Sequence, residues 1–208
     1  MSSAPDSDGP GQDRSTLRFY AETAETYTAG GPGGASRGLA SFLEKLRPGA
    51  RILELGCGGG RDAEAMLAAG FDVEPTDGTP EIARQAEARL GRKVRVMRFG
   101  ELEALAAYDA VWANASLLHV PRESLPEVLG RVFRALKPGG LHFASYKGGG
   151  REGRDGHGRY FNYLSRDELI EAYDRSASWE VDSVVEYVGG GYEGTQGPWV
   201  AITVRRPE

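Results

Sequence analysis

The sequence has one cysteine, no excess of positive charge and no long apolar run, and each absence excludes a class of protein. Cys57 is the single cysteine among 208 residues, which rules out an internal disulfide framework and predicts a reducing, cytoplasmic location. Lys and Arg total 25 against 30 Asp and Glu, so the net charge of −5 argues against nucleic-acid partners. No stretch approaches the roughly 18–20 apolar residues of a transmembrane helix, and no membrane association is expected.

Two kinds of catalytic site are also missing from the sequence. His119, His142 and His157 are far apart, and with one cysteine they give no metal-ligand spacing, so no metal site is predicted. There is no Gly-x-Ser-x-Gly segment of the kind that carries a nucleophilic serine. The first residues have neither a basic start nor an apolar stretch, so we expect no signal peptide.

The N-terminal part of the chain differs in composition from the rest. Residues 1–13 contain almost no apolar side chains and are predicted to be a disordered tail, with a single domain over residues 14–208. Apolar spacing predicts two helices, at about 16–28 and 35–47. We interpret residues 14–47 as a helical lid.

From residue 50 onward, short apolar runs alternate with amphipathic helices. This alternation predicts right-handed βαβ units, in which a parallel sheet is covered by helices on both faces. Two final strands, at about 179–188 and 199–205, have no helix between them and must therefore be antiparallel. The predicted fold class is α/β, with a seven-stranded sheet that is mostly parallel and has an antiparallel C-terminal strand.

A glycine-rich turn follows the first predicted strand. Gly56, Gly58 and Gly60 allow a ligand to approach the backbone where it turns into the next helix. Glu54 precedes this turn, and Asp77 ends the second strand, where an acid can accept both hydroxyls of a ribose. The arrangement predicts a site for a nucleoside cofactor.

The glycine spacing alone leaves the type of cofactor open. The dinucleotide fingerprint G-x-G-x-x-G/A fails when counted from Gly56, because its sixth position is Arg61, but it fits from Gly58 with Ala63. An NAD(P)-dependent oxidoreductase on a related sheet is therefore an alternative. The carboxylate of Glu54 would repel a pyrophosphate and favours a cationic ligand.

The segment Glu54-x-Gly56-x-Gly58-x-Gly60 closely resembles motif I of the class I S-adenosylmethionine-dependent methyltransferases, whose sheet is Rossmann-like. Asp77-Gly78, residues 108–114 and residues 136–140 resemble further motifs of that family in the same order, and the resemblance is strong over residues 50–146. The run Gly-Cys-Gly-x-Gly-Arg is similar to small bacterial methyltransferases of the tellurite- and thiopurine-detoxifying kind. The resemblance implies S-adenosylmethionine as cofactor, S-adenosylhomocysteine as product, and in-line methyl transfer to a small-molecule acceptor.

The resemblance also implies a set of cofactor-binding residues at the carboxyl ends of the strands. Asp77 is expected to hold the ribose and Arg61 the cofactor carboxylate, while Glu101, or alternatively Glu103, would accept from the adenine amine. The full set is Tyr27, Glu54, Gly56, Cys57, Gly58, Arg61, Asp77, Gly78, Gly100, Glu101, Asn114 and Ala115.

Candidates for the acceptor site lie close to this set. His119 follows the fourth strand and is the candidate catalytic base, with a purely structural histidine as the alternative. Tyr20 and Tyr27 are predicted to cover the cofactor and the acceptor; the alternative is an amphipathic helix packed on the core.

The loop after strand five, residues 147–163, is the predicted substrate loop. It is rich in glycine and carries Arg151, Arg154 and Arg159, which predicts a lid that recognises an anionic acceptor. The alternative is a solvated loop with incidental charge.

Two readings besides the oxidoreductase stay open: a non-catalytic protein that binds S-adenosylmethionine, and a methyltransferase that acts on RNA or protein. The net charge of −5 disfavours the latter. The sequence does not indicate an oligomeric state.

Overall fold

The structure is a computed structural model that describes residues 11–30, 34–192 and 194–208. Within these residues the helices are α1 (Arg14–Ala29), α2 (Leu39–Leu43), α3 (Arg61–Ala68), α4 (Pro80–Leu90), α5 (Leu125–Ala135) and α6 (Arg166–Asp174). The strands are β1 (Arg51–Leu55), β2 (Asp72–Asp77), β3 (Arg95–Val96), β4 (Tyr108–Ala113), β5 (Leu136–Lys147), β6 (Gly153–Arg154), β7 (Tyr160–Phe161), β8 (Glu180–Gly190) and β9 (Gln196–Arg205). Short 3-10 helices occupy Phe99–Glu101 and Leu117–His119.

The central sheet has the strand order β3-β2-β1-β4-β5-β9-β8. The first five strands in this order are parallel, whereas β9 runs antiparallel to both β5 and β8. The predicted α/β class and the seven-stranded, Rossmann-like sheet are therefore confirmed. The order reverses between β1 and β4, and such a switch point creates a crevice at the carboxyl ends of the strands.

Apolar side chains cover both faces of the sheet, as expected for parallel strands that are buried on both sides. On one face, Leu53 of β1 belongs to the cluster that also includes Leu129 of α5. On the other face, Trp112 of β4 stacks on Phe143 at 4.1 Å between ring centroids and contacts Phe42 of α2 at 5.0 Å. Within the described parts of the chain, no helix is both long and apolar enough to cross a membrane.

The predicted disordered tail covers residues 11–13, which have defined contacts in the structure, and residues 1–10, which lie outside the described residues. Asp13 is buried and caps α1, where its Oδ1 accepts from the backbone N–H of Thr16 at 2.8 Å. The same carboxylate forms an ion pair with Arg154, with an N–O distance of 2.8 Å. The composition did not reveal this order because the stabilising partner is 141 residues away in sequence.

The predicted lid over residues 14–47 divides into two elements with different roles. Of these two elements, α1 alone covers the carboxyl ends of the strands. The second predicted helix shortens to α2 because Gly38 adopts a left-handed conformation, with φ of 83°, immediately before it. Since Phe42 of α2 packs against Trp112, α2 belongs to the core and not to a lid.

The predicted substrate loop, residues 147–163, contains the small hairpin of β6 and β7. Each strand has two residues, which is too short for a periodic sequence signal. The hairpin contacts α1, because the backbone N–H of Tyr160 donates to Thr16 Oγ1 at 2.8 Å. This loop and α1 therefore form one continuous cover over the sheet edge.

Candidate active site

A cleft of about 670 Å³, a volume that includes space open to solvent, lies at the carboxyl ends of β1, β2 and β4, beneath α1. Its lining residues are Gly11, Gln12, Asp13, Thr16, Leu17, Tyr20, Tyr27, Gly56, Gly58, Asp77, Gly78, Thr79, Ile82, Arg98, Phe99, Ala115, Ser116 and His119. Eight predicted site residues meet here: Tyr20, Tyr27, Gly56, Gly58, Asp77, Gly78, Ala115 and His119.

The glycine turn after β1 forms the floor of the cleft. Gly56 and Gly58 have φ of 74° and 53°, a region that favours glycine. A Cβ on Gly56 would lie only 2.6 Å from the Cβ of Ser116, which follows β4. Glycine at position 56 therefore permits the close approach of the two loops that flank the switch point.

Asp77 lies at the end of β2 and faces the cleft. Its Oδ2 accepts from the backbone N–H of Gly58 at 3.1 Å, and its Oδ1 accepts from that of Thr79 at 2.9 Å. Burial raises the pKa of Asp77 to about 6, although both backbone hydrogen bonds act in the opposite direction. The two backbone hydrogen bonds therefore fix the orientation of the carboxylate. Because burial removes part of its hydration, hydroxyl donors from a ligand would stabilise its negative charge.

A chain of hydrogen bonds crosses the other end of the cleft. His119 Nδ1 lies 2.6 Å from the carbonyl oxygen of Tyr160, which can only accept, so Nδ1 carries the proton. The neutral ring then accepts at Nε2 from the hydroxyl of Tyr20, at 2.9 Å. Burial lowers the pKa of His119 to about 4, so the ring is neutral at pH 7.

Arg159 hydrogen-bonds to the Tyr20 end of this hydrogen-bonded series and is not among the residues that line the cleft. It is 3% exposed and donates to Asp155 Oδ2 from Nη2 at 2.6 Å and from Nε at 2.9 Å. Its Nη1 donates to the Tyr20 hydroxyl at 3.3 Å. The prediction that Arg159 contacts an anionic substrate is not supported, because its charge is already paired with Asp155.

The other two arginines of the predicted substrate loop are also outside the cleft. Arg154 forms the ion pair with Asp13, so its charge holds the N-terminal segment. Arg151 is exposed to solvent and does not line the cleft. The loop therefore contributes to the site through the backbone of Tyr160 and the buried Arg159, and its role as an anion-recognising lid stays a prediction.

Three predicted cofactor residues of the motif I region lie beneath or beside the cleft. Glu54 is 3% exposed, and burial together with the neighbouring Asp62 and Asp77 raises its pKa well above the usual range. The side chain of Cys57 packs into an apolar cluster with residues of α4. Arg61 begins α3 without lining the cleft.

The remaining three predicted cofactor residues are engaged elsewhere. Glu101 is exposed, and its Oε2 accepts from the backbone N–H of Arg98 at 2.8 Å, which caps the 3-10 helix. Asn114 donates to Ser36 Oγ at 2.9 Å and accepts from Ser145 Oγ at 2.7 Å. Gly100 lies in the 3-10 helix next to Phe99, and only Phe99 lines the cleft.

The predicted site did not include ten further residues that line the cleft, which come from the N-terminal segment, from the region after β2 and from the turns after β3 and β4. They are Gly11, Gln12, Asp13, Thr16, Leu17, Thr79, Ile82, Arg98, Phe99 and Ser116. Thr79 and Ser116 directly follow predicted site residues, so proximity in sequence was an available signal. Residues 11–13 had none, because they belong to a segment without apolar periodicity.

Comparison with known proteins now assigns the family. A family model described as a methyltransferase domain matches residues 27–177, which is more than half of the chain. The chain belongs to this methyltransferase family. The predicted family is therefore confirmed, and the match includes the glycine turn, Asp77 and His119.

Curated relatives of this methyltransferase are similar over part of their length. A ubiquinone biosynthesis O-methyltransferase of Xanthomonas campestris is 39% identical over 105 residues, which cover 47% of this chain and 43% of the relative. A protein of the same name from Xylella fastidiosa is 33% identical over 113 residues, which cover 50% of this chain and 45% of the relative. The chain thus matches less than half the length of these relatives.

Solved structures share the fold at low sequence identity. An S-adenosylmethionine-dependent methyltransferase from Methanosarcina mazei has a TM-score of 0.73 and 18% identity, with 80% of this chain and 97% of that chain covered. The 1,6-didemethyltoxoflavin-N1-methyltransferase of Burkholderia thailandensis, solved with 1,6-didemethyltoxoflavin and S-adenosylhomocysteine, has a TM-score of 0.66 and 22% identity. That match covers 92% of this chain and 81% of the other.

Proposed function

We propose that this chain is an S-adenosylmethionine-dependent methyltransferase that acts on a small-molecule acceptor. The observation that carries the proposal is the pairing of the Gly56–Gly58 turn with the fixed carboxylate of Asp77 inside one cleft. These groups end two adjacent strands beside the switch point of a methyltransferase-family domain. The Burkholderia enzyme, with S-adenosylhomocysteine in its structure, supports the choice of cofactor.

The polar groups of the cleft fit this cofactor. Ser116 Oγ and Gln12 Oε1 are buried and make no hydrogen bond to the described residues, and both residues line the cleft. Buried polar atoms without partners are rare in folded proteins, and in a cleft either an ordered water or a bound ligand can supply the missing partner. Asp77 would hold the ribose hydroxyls, and the glycine turn would lie against the amino-acid end.

S-adenosylmethionine supplies a methyl group that its sulfonium has already activated. The residues of this chain therefore mainly position the donor and the acceptor. The rings of Tyr20 and Tyr27 line the cleft, with 4.9 Å between their centroids, and aromatic faces attract a cationic centre. Tyr20 also contacts His119, with 5.5 Å between ring centroids, and the proposal places the acceptor at this end of the cleft.

The Tyr20–His119 pair is the proposed route for the acceptor proton. A base with a pKa of about 4 is too weak to ionise an alcohol before transfer, but it can take a proton that becomes acidic as the new bond forms. In this scheme the acceptor proton moves to the Tyr20 oxygen while the hydroxyl proton of Tyr20 moves to His119 Nε2. The Nδ1–H of His119 stays bonded to the Tyr160 carbonyl.

The His119 ring is expected to titrate far below the usual value of 6.5, at a pKa of about 4. Tyr20→Phe removes the hydroxyl whose hydrogen bond to Nε2 stabilises the neutral ring, so the pKa should rise by about one unit. Nitrogen-15 NMR of labelled histidine would measure both the pKa and the tautomer. Titration near 6.5 in the unmodified protein, or an Nε2–H tautomer, would contradict the proposed relay.

The proposed cofactor is tested first by isothermal titration calorimetry with S-adenosylmethionine, S-adenosylhomocysteine and NADH. Micromolar binding of the first two, without binding of NADH, is the expected result. Binding of NADH alone would favour an oxidoreductase. Once binding is established, transfer of a radiolabelled methyl group separates an enzyme from a protein that only binds the cofactor.

Three finer statements stay predictions. The O-methyltransferase relatives make oxygen acceptors the first to screen, with nitrogen and sulfur acceptors next. The cytoplasmic location rests on the single cysteine, and the absence of a nucleic-acid partner rests on the net charge of −5.

A further inference from the structure

The N-terminal strap, residues 11–13, lies against the turn that follows β3. A Cβ on Gly11 would lie 2.6 Å from Val128 Cγ2 and 3.3 Å from both the Gly100 nitrogen and the Phe99 Cβ. Since β3 is the neighbour of β2 on the side away from β1, this turn lies beyond Asp77. The strap therefore closes the end of the cleft where a base attached to the Asp77-bound ribose would lie.

The strap is held at both of its ends. Gly11 has φ of 80° and fits into a space that admits no side chain. Asp13 is buried, caps α1 and is paired with Arg154, so its position is set by two separate parts of the chain. Gln12 lies between these two fixed residues, and its backbone has little freedom to move away from the cleft.

At the end of the cleft that the strap closes, the carboxamide oxygen of Gln12 is a polar group without a hydrogen-bond partner among the described residues. It is buried and accepts no hydrogen bond from the described residues, although the side chain lines the cleft. The acid expected to receive the adenine amine, Glu101, is exposed and already caps the 3-10 helix. The remaining walls include the apolar side chains of Leu17, Ile82 and Phe99, which suit a flat heterocycle.

We propose that Gln12 determines the base specificity of the cofactor site by accepting a hydrogen bond from the 6-amino group of adenine. This inference rests on the proposed function. A carboxamide offers one acceptor and two donors, and it can match the adjacent donor and acceptor on an adenine edge. Without a ligand the carboxamide oxygen has no partner among the described residues, whereas a 6-amino group supplies the missing donor.

The test is a double-mutant cycle between the protein and the ligand. Isothermal titration calorimetry measures the affinity of two ligands: S-adenosylhomocysteine and its analogue with hydrogen in place of the 6-amino group. Each ligand is titrated into the unmodified protein and into Gln12→Met. Methionine keeps the length of the side chain and removes its hydrogen-bonding groups. Gln196→Met, at an exposed position of β9 outside the cleft, is the matched control.

The unmodified protein and Gln196→Met should bind the analogue about tenfold more weakly than S-adenosylhomocysteine. Gln12→Met should bind both ligands with affinities within about twofold of each other. An unchanged tenfold preference in Gln12→Met would overturn the role of Gln12 while leaving the cofactor intact. If the unmodified protein bound neither ligand, the proposed function itself would fail, and this inference with it.

Discussion

Asp77→Asn is expected to weaken the binding of S-adenosylhomocysteine by about 100-fold at pH 7.5. A charged acceptor contributes more to a hydrogen bond than a neutral one does, and asparagine offers a single acceptor oxygen in place of two. Its amide nitrogen would also face one of the backbone N–H groups, of Gly58 or Thr79, that now donate to the carboxylate.

The pH dependence of binding provides a second test of the same residue. The pKa of Asp77 is raised to about 6, so at higher pH the carboxylate is ionised and ready to accept the ribose hydroxyls. Below about pH 6 the carboxyl holds a proton that the ligand must displace, and the affinity should fall by up to tenfold per pH unit. In Asp77→Asn this slope should disappear.

Asp72→Asn is the matched control, because Asp72 begins the same strand at its exposed, opposite end. Calorimetry should find its affinity within about twofold of the unmodified protein. Thermal unfolding of both variants checks that the fold is retained. Equal affinities for Asp77→Asn and the unmodified protein would contradict the assignment of the ribose to β2.

Gly56→Ala is expected to destabilise the protein by about 2–5 kcal/mol and to abolish cofactor binding. Alanine at a φ of 74° costs about 1–2 kcal/mol, and its Cβ would meet the Cβ of Ser116 at 2.6 Å. Relief of that contact requires the loops after β1 and β4 to separate, which costs about 1–3 kcal/mol more. The midpoint of thermal unfolding should fall by about 5–15 °C.

The chain offers a close control for this substitution. Gly49 has φ of 71°, and a Cβ added there would have no atom within 4 Å, so Gly49→Ala carries the backbone cost alone. Its loss of stability should be about 1–2 kcal/mol, with cofactor binding retained. The double variant Gly56→Ala/Ser116→Gly lacks the opposing Cβ. Its loss of stability should therefore fall most of the way to that of Gly49→Ala. Equal losses at Gly49 and Gly56 would show that the two loops do not approach as closely as described.

The sheet and the centre of the site were predictable because their signals are local. The alternation of apolar strands with amphipathic helices requires a parallel sheet, and strand-end residues of such a sheet converge on one edge. Gly56, Gly58 and Asp77 each follow or end a strand, so their meeting follows from the strand pattern alone. His119 was found in the same way, as the histidine that follows β4.

Other predicted site residues lie outside the cleft, because the prediction assumed that a charged side chain is available to a ligand. Arg159 and Glu101 have suitable chemistry, but the folded chain uses both internally, one with Asp155 and the other at the backbone of Arg98. Local sequence does not reveal which polar groups the protein itself will satisfy. That choice depends on which partners the tertiary structure brings within hydrogen-bond distance.

The sequence by itself determined the α/β architecture, the family and the three groups at the centre of the cleft. Only the tertiary structure decided what closes the cleft: the strap of residues 11–13, the pair of Tyr20 and His119, and the buried Arg159. These contacts join parts of the chain that are up to 141 residues apart, as between Asp13 and Arg154. Such pairs leave no periodic pattern, because packing of the whole chain creates them.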